Sequence, residues 1–163
     1  MKDFRGEKET SSQTKDTEKV SSSPNGDLAE TNQKSSKWNP KIYRGERSYT
    51  QQGSDKVKDN YTGLIWQRKG SNGKFTHPEA EAYCKRHGMR LPTIEELYYL
   101  ADVTQKDSPK IDNDYFDIKA DWYWSSTPYR DNSDAAWVVY FNNGLDSMYN
   151  HTDTGYVLCV SGQ

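Results

Sequence analysis

The sequence has few cysteines, which limits the covalent frameworks available to the chain. Cys84 and Cys159 are the only two among its 163 residues. Cys84 falls on the apolar face of a predicted helix and Cys159 in a predicted final strand, and two such cysteines do not by themselves dictate a disulfide. A bond would close a loop of about 75 residues. Two reduced, buried thiols are the alternative, and the residues alone leave both open.

Long apolar runs and a strong charge of one sign are also missing. No stretch approaches the roughly 18–20 apolar residues that a membrane-spanning helix needs. Residues 1–4 are not followed by the apolar region of a signal peptide, so the chain is either cytosolic or numbered after removal of a leader. The net charge of -2, without a strongly basic domain, disfavours nucleic-acid binding.

Core-forming side chains are scarce in the first part of the chain. Within residues 1–37 only Phe4, Val20 and Leu28 are of this kind, and most of the other positions are polar or charged. Such a segment cannot bury enough apolar area to offset the entropy of ordering, so residues 1–37 are predicted to form a disordered polar tether. The remaining residues, 38–163, are sufficient for one folded domain.

Two short helices are predicted in the middle of the domain. Thr76 with Glu79, and Thr93 with Glu96, have the spacing of a capping box, in which each end of the motif satisfies a free backbone N–H group. Gly88 marks the end of the first helix. The second helix is predicted to end near Val103. The predicted apolar face of the first helix consists of Ala80, Tyr83, Cys84 and His87, and that of the second consists of Ile94, Leu97, Tyr98 and Ala101.

The last third of the chain has the pattern of a sheet. Residues 122–128, 135–141 and 155–160 are predicted strands, because large apolar residues such as Trp122 and Trp124 alternate at a period of two. Asn143 and Gly144 are typical of a tight turn. Another short strand is expected at residues 64–67, and Ile111 and Phe116 are apolar anchors of a long loop. Helices followed by several antiparallel strands predict an α+β fold.

Six stretches, in order, resemble the Lcl C-terminal domain family, a group of exported bacterial domains. They are VKDNYTGLIWQ (57–67), EAYC (81–84), RLPTIEEL (90–97), YWSST (123–127), AWVVYFNNG (136–144) and YVLCV (156–160). The resemblance implies a C-type-lectin-like fold with two short helices and a mostly antiparallel, twisted sheet. It also implies a disulfide between Cys84 and Cys159, and hence export to the cell surface or the medium.

The resemblance further implies a non-enzymatic binding role without a cofactor, as in a receptor or adhesin. The namesake of the family recognises sulfated glycosaminoglycans, and other members are variable proteins of diversity-generating retroelements. This chain departs from the glycosaminoglycan pattern, because Leu158 and Ser161 replace the usual basic residues and no collagen-like repeat precedes the domain. A protein or a surface glycan is the expected ligand. Membrane contact is expected only through a lipid anchor at a removed leader, and the polar sequence favours a monomer.

Two polar stretches of the last third are the predicted ligand-binding loops, because tyrosine combined with Asn, Ser and Asp is typical of antibody paratopes. The alternative is a solvated loop surface without a ligand. The predicted residues are Tyr129, Arg130, Asp131, Asn132 and Ser133 in the first stretch, and Asp146, Ser147, Tyr149, Asn150, His151 and Asp153 in the second.

Other kinds of site are less well supported by the residues. Trp66, Trp124 and Trp137 would suit a sugar platform, but their positions in strands are more typical of a core. The segment 125–127 is interpreted as a structural turn, and a structural head domain or an enzyme sharing the fold are the alternatives from other classes. The histidines lack metal-ligand spacing. Residues 112–117 do not complete an EF-hand, since Asp117 occupies its glycine position.

Overall fold

The structure, a computed structural model, describes residues 46–162 of the chain. The predicted tether over residues 1–37 and the predicted domain start at residue 38 lie outside these residues and stay predictions. The elements follow one another as β1 (Tyr49–Gln52), β2 (Lys56–Asp59), β3 (Ile65–Gln67), α1 (His77–Arg86), α2 (Ile94–Leu100), β4 (Trp122–Tyr129), β5 (Asn132–Tyr140), β6 (Asp146–Asn150) and β7 (Val160–Ser161). The predicted α+β class is confirmed.

The strands form two separate sheets, and every pair of neighbouring strands is antiparallel. The first has four strands in the order β1-β2-β3-β7, and the second has three in the order β4-β5-β6. Chain order is therefore interrupted only where the end of the chain returns to pair with β3. This return brings the two ends of the described domain together in one sheet.

Both helices begin where the local sequence predicts, and α1 also ends there. The N–H groups of Thr76 and Thr93 each donate to the glutamate three residues later, at 2.9 Å in both cases. Gly88 has φ of 66° and donates to Lys85 O, which ends α1 in a left-handed turn that suits glycine. α2 ends at Leu100 rather than near Val103.

The apolar face of α2 differs from its prediction. Leu97 and Leu100 are fully buried, whereas Tyr98 is 48 % exposed. In α1, Ala80 and Cys84 are buried, whereas His87, which follows the last residue of the helix, is exposed. The buried face of each helix thus contains fewer residues than the periodicity of the sequence predicts.

The predicted strand over residues 155–160 is mostly an extended segment that joins the two sheets. Tyr156 makes a parallel bridge to Tyr123 of β4, and the backbone of Cys159 exchanges hydrogen bonds with Gln67 at the end of β3. Cys159 is also bonded to Cys84 of α1 through the predicted disulfide. The segment therefore connects β4, β3 and α1, and only Val160 and Ser161 belong to a strand.

A second correction concerns the polar stretches of the last third. Residues 146–150 are predicted as a loop, but they form β6 and pair with β5 from Ala135 to Val139. Residues 132–134 belong to β5, so only Arg130 and Asp131 form the turn after β4. The segment 125–127 is part of β4 rather than a turn. Backbone pairing with β5, which residue types do not reveal, makes residues 146–150 a strand.

Buried side chains form two clusters on opposite faces of the β4–β6 sheet. Tyr123, Val139 and Phe141 belong to one cluster, which also contains the β1–β3 residues and α2. Trp124 and Val138 belong to the other, with Cys84 and Cys159. The predicted anchors Ile111 and Phe116 are buried in the first cluster. β4 and β5 are thus buried on both faces over part of their length, whereas β6 has no fully buried residue.

Candidate functional site

The two predicted ligand-binding stretches lie side by side because β6 pairs with β5. Ala135 is opposite Asn150 in this pairing, and the backbone N–H of His151 donates to Asp134 O at 2.7 Å. The side-chain amide of Asn132 donates to Asn150 Oδ1 at 3.4 Å. The two stretches, nearly 20 residues apart in the chain, thus share one surface.

Several residues of the second stretch have structural roles. The Tyr149 ring stacks on Trp122 with centroids 4.3 Å apart and an interplanar angle of 2°. The hydroxyl of Tyr149 is hydrogen-bonded to that of Tyr140. Burial, together with this hydrogen bond, raises the pKa of Tyr140 to about 12. Asp153 Oδ2 accepts from the Asn150 N–H at 2.9 Å and closes the turn after β6.

His151 packs inward on a second histidine. Its ring stacks on that of His77 with centroids 4.5 Å apart, and the His77 ring also meets Trp124 edge to face. His77 Nε2 donates to Ser125 O at 2.9 Å. Nε2 of His151 is buried without a hydrogen-bond partner among residues 46–162. This pair attaches the turn after β6 to α1 and β4.

Burial lowers the pKa of His77, and the neighbouring His151 acts in the same direction. The hydrogen bond to Ser125 and the charge of Glu81 act against this shift. The neutral form of His77 is thus favoured in the folded protein.

The exposed part of the surface centres on Trp137. Tyr129 meets its ring at 5.2 Å with an interplanar angle of 70°, and Met148 is its direct partner on β6. All three side chains are half-buried. Asp146 lies on the same face of β6, two residues from Met148, because side chains alternate along a strand.

We call this region the hairpin surface. It consists of Tyr129, Arg130, Asp131, Ser133, Trp137, Asp146 and Met148. Its polar members are exposed, and their side chains make no hydrogen bond or ion pair within residues 46–162. These side chains are therefore available for intermolecular contacts. Ser147, also predicted, is half-buried on the opposite face, since it pairs with Val138.

Sequence reasoning missed Trp137 as part of this surface. Alternation with Val139 and Phe141 indicates a core position, and those two residues are indeed buried, as are Trp66 and Trp124. Trp137 is half-buried and belongs to neither cluster. Nothing in the sequence distinguishes Trp137 from its buried neighbours, because the sequence does not reveal that the core beneath β5 ends before Trp137.

A cleft of about 590 Å³ lies elsewhere, between the end of α1 and the start of α2. Met89 and Leu91 contribute apolar surface to it, and Lys85 lies at its side. Arg90 donates to both carboxylate oxygens of Glu96, at 2.8 and 2.9 Å, in a two-point ion pair. The sequence contains no signal that these residues meet in a cleft.

The residues considered for catalysis and calcium have structural partners. Cys84 and Cys159 form a disulfide, so neither is a free thiol. Ser125 Oγ donates to Trp137 O, and Thr127 Oγ1 accepts from Ile94 N. Asp112 Oδ1 accepts from the Asp114 N–H and closes a local turn. Within residues 46–162 no group of three or more His, Cys, Asp or Glu side chains could hold a metal ion.

The comparison with protein families identifies one match. A model of the Lcl C-terminal domain matches residues 55–161, about two thirds of the chain. No curated protein matches the chain. No helix among the described residues is long and apolar enough to span a membrane.

The match agrees with the geometry described above. The family is one of C-type-lectin-like binding domains of exported proteins. Two short helices, antiparallel sheets and the bond between Cys84 and Cys159 are the features expected of such a domain. The chain therefore belongs to the Lcl C-terminal domain family.

Proposed function

We propose that this chain is a non-enzymatic ligand-binding module of a surface-exposed or secreted protein, and that it binds its ligand on the hairpin surface. The observation that carries the proposal is the half-exposed pair of Tyr129, at the end of β4, and Trp137, on β5, which has a partner strand on each side. Large aromatic side chains with few rotatable bonds lose little conformational entropy on binding. A paired strand holds them in place better than a loop does.

The predicted binding residues divide into two groups under this proposal. Tyr129, Arg130, Asp131 and Ser133 contact the ligand, together with Asp146. The positions that support this surface from below or beside it are Asn132, Ser147, Tyr149, Asn150, His151 and Asp153. Substitution in the second group would weaken binding indirectly, through loss of local structure.

The disulfide supports the absence of catalysis. An enzyme that shared this fold and used cysteine chemistry would need a free thiol, and both cysteines are bonded to each other. Ligand binding is the role that the remaining exposed aromatic and polar side chains suit. A protein or a surface glycan is the expected ligand class.

A variable protein of a diversity-generating retroelement is the special case that we favour. Arg130 and Asp131 are exposed in the turn between β4 and β5, and Ser133 and Asp146 are exposed on β5 and β6, so their exchange would cost little stability. The test is genomic: a near-identical template repeat and a reverse transcriptase gene should lie beside the coding sequence. Their absence would remove this special case and leave the binding module.

The proposed site is tested by screening the full chain against arrays of glycans and surface proteins. Tyr129→Ala/Trp137→Ala should abolish binding of any ligand captured by the unmodified protein. The matched control is Phe75→Ala/Tyr83→Ala, which removes another half-buried aromatic pair with centroids 5.2 Å apart. Binding that survives the first variant, or that both variants lose equally, would contradict the proposed site.

A further inference from the structure

The hairpin surface belongs to a part of the described domain that has a net negative charge and almost no basic residues. Residues 122–162 contain four aspartates and one basic residue, Arg130, a net charge of 1 − 4 = −3 with histidine neutral. Residues 46–121 contain 13 acidic and 12 basic residues, a net charge of −1. Cations are thus distributed along the rest of the domain but nearly absent from the β4–β6 sheet.

The carboxylates of Asp131 and Asp146 on the hairpin surface are not neutralised by the protein itself. The three ion pairs found within residues 46–162 join Lys69 to Asp117, Lys74 to Asp121 and Arg90 to Glu96. None of them involves Asp131 or Asp146, which are exposed. Their negative charge is therefore available to a ligand that approaches the hairpin surface.

Trp137 adds an aromatic ring that can bind a cation from a defined direction. The face of an indole ring attracts a cation, most strongly an arginine guanidinium or a lysine ammonium, through its quadrupole. Tyr129 meets the Trp137 ring at a steep angle, and Met148 lies opposite it on β6, so the two restrict how the ring can turn. An aromatic face with carboxylates nearby suits a side chain that combines an apolar stem with a positive end.

We infer that the occupant of the hairpin surface is a protein segment that carries arginine or lysine, a conclusion that rests on the proposed function. Basic side chains of this segment lie against Trp137 and Tyr129 and form ion pairs with Asp131 and Asp146. A sulfated glycan is disfavoured, because its negative sulfates would be repelled by the unpaired carboxylates. Arg130 is the one basic residue of the hairpin surface that could attract them. The surface thus selects the sign of charge of its partner.

The test uses the full chain and three sets of immobilised probes: arginine- and lysine-bearing peptides, the same peptides with glutamate at those positions, and heparin with neutral glycans. The unmodified protein should bind the basic peptides, and binding should weaken as NaCl rises from about 0.05 M to about 0.5 M, because salt screens exposed charges. Asp131→Asn/Asp146→Asn should weaken it about five- to tenfold, the size expected for two exposed ion pairs.

A matched control separates local from overall charge. Asp107→Asn/Asp114→Asn removes the same amount of charge from exposed positions outside the β4–β6 sheet, and it should leave binding within about twofold. Equal effects of the two double variants would overturn the inference. Peptide binding that the Asp131→Asn/Asp146→Asn protein retains in full would also overturn it.

The outcomes distinguish this inference from the proposed function. If heparin or a neutral glycan binds and Tyr129→Ala/Trp137→Ala abolishes that binding, the hairpin surface is a binding site but its partner is not a basic segment. If basic peptides bind and Tyr129→Ala/Trp137→Ala has no effect, the peptides bind elsewhere. The proposed site is then wrong, and so is the inference about what occupies it. Absence of binding to every probe would overturn the inferred partner chemistry.

Discussion

Trp124 and Trp137 lie on neighbouring strands of the same sheet, but the protein uses them in different ways. Trp124 is fully buried, its Nε1 donates to Phe75 O at 2.8 Å, and the disulfide lies in the same cluster. Trp137 points to the opposite face, beyond the edge of the core, and stays half-exposed. The comparison indicates that both faces of the sheet carry core side chains, but the face of Trp124, here called the buried face, is covered at that position, whereas the opposite face is open at Trp137 and free to contact a partner there.

Removing the disulfide tests the buried face most severely. Cys84→Ser/Cys159→Ser should lower the free energy of unfolding by about 4–5 kcal/mol, because the bond closes a long loop in the unfolded chain. Urea denaturation of the oxidised protein and of the double variant measures the difference. A loss below about 1 kcal/mol would show that packing, rather than the disulfide, holds α1 to the C-terminal segment.

The two tryptophans should respond unequally to truncation. Trp124→Ala removes a fully buried indole and its hydrogen bond, so a loss of about 3–5 kcal/mol is expected. Trp137→Ala removes a half-exposed ring and should cost about 1 kcal/mol or less, while it abolishes ligand binding. Thermal denaturation of both variants, followed by circular dichroism, measures the contrast. Equal losses would remove the distinction between the two faces.

Gly155 tests how tightly the buried face is closed. A Cβ atom at this position would lie 2.0 Å from Cζ3 of Trp122, whose ring also stacks on Tyr149. Gly155→Ala should therefore destabilise the protein by about 1–3 kcal/mol through overpacking. Gly73→Ala is the matched control, since a Cβ there meets no atom within 4 Å. Similar stabilities of the two variants would argue against a rigid Trp122.

The smallest expected effect is a dependence of stability on pH through His77. Its pKa is lowered from the ordinary value of 6.5 in the folded state, so the unfolded chain takes up the proton first as pH falls. Stability from neutral His77 is thus present above pH 6.5 and is lost as pH falls through the folded-state pKa. Melting temperatures from pH 8 to 5 should fall less in His77→Gln than in the unmodified protein. Identical slopes would contradict this role for His77.

Local sequence was a reliable guide wherever neighbours along the chain decide the structure. The capping boxes at Thr76 and Thr93 satisfy backbone groups three residues away, so their spacing predicts the helix starts. Gly144 has φ of 79°, in agreement with the predicted turn at Asn143 and Gly144. The predicted pairing of Cys84 with Cys159 came from family resemblance rather than from spacing, and it is present in the structure.

Residue types were a poor guide to the candidate site. The stretch 146–150 contains Asp, Ser and Asn, which are typical of loops, but β5 offers a free edge and the stretch becomes β6. Tyr149 and His151 resembled contact residues, but each ring stacks on another aromatic side chain from a distant part of the sequence. Such long-range contacts leave no mark on the periodicity of either partner.

The sequence by itself determined the α+β class, the two capped helices and the turn at Gly144. Each of these depends on contacts within a few residues or on the apolar pattern of single segments. Only the tertiary structure decided that Trp124 is covered and that Trp137 is not. The physical reason is that exposure depends on where α1, α2 and the returning C-terminal segment pack on the sheet, and alternation along a strand does not encode the extent of that cover.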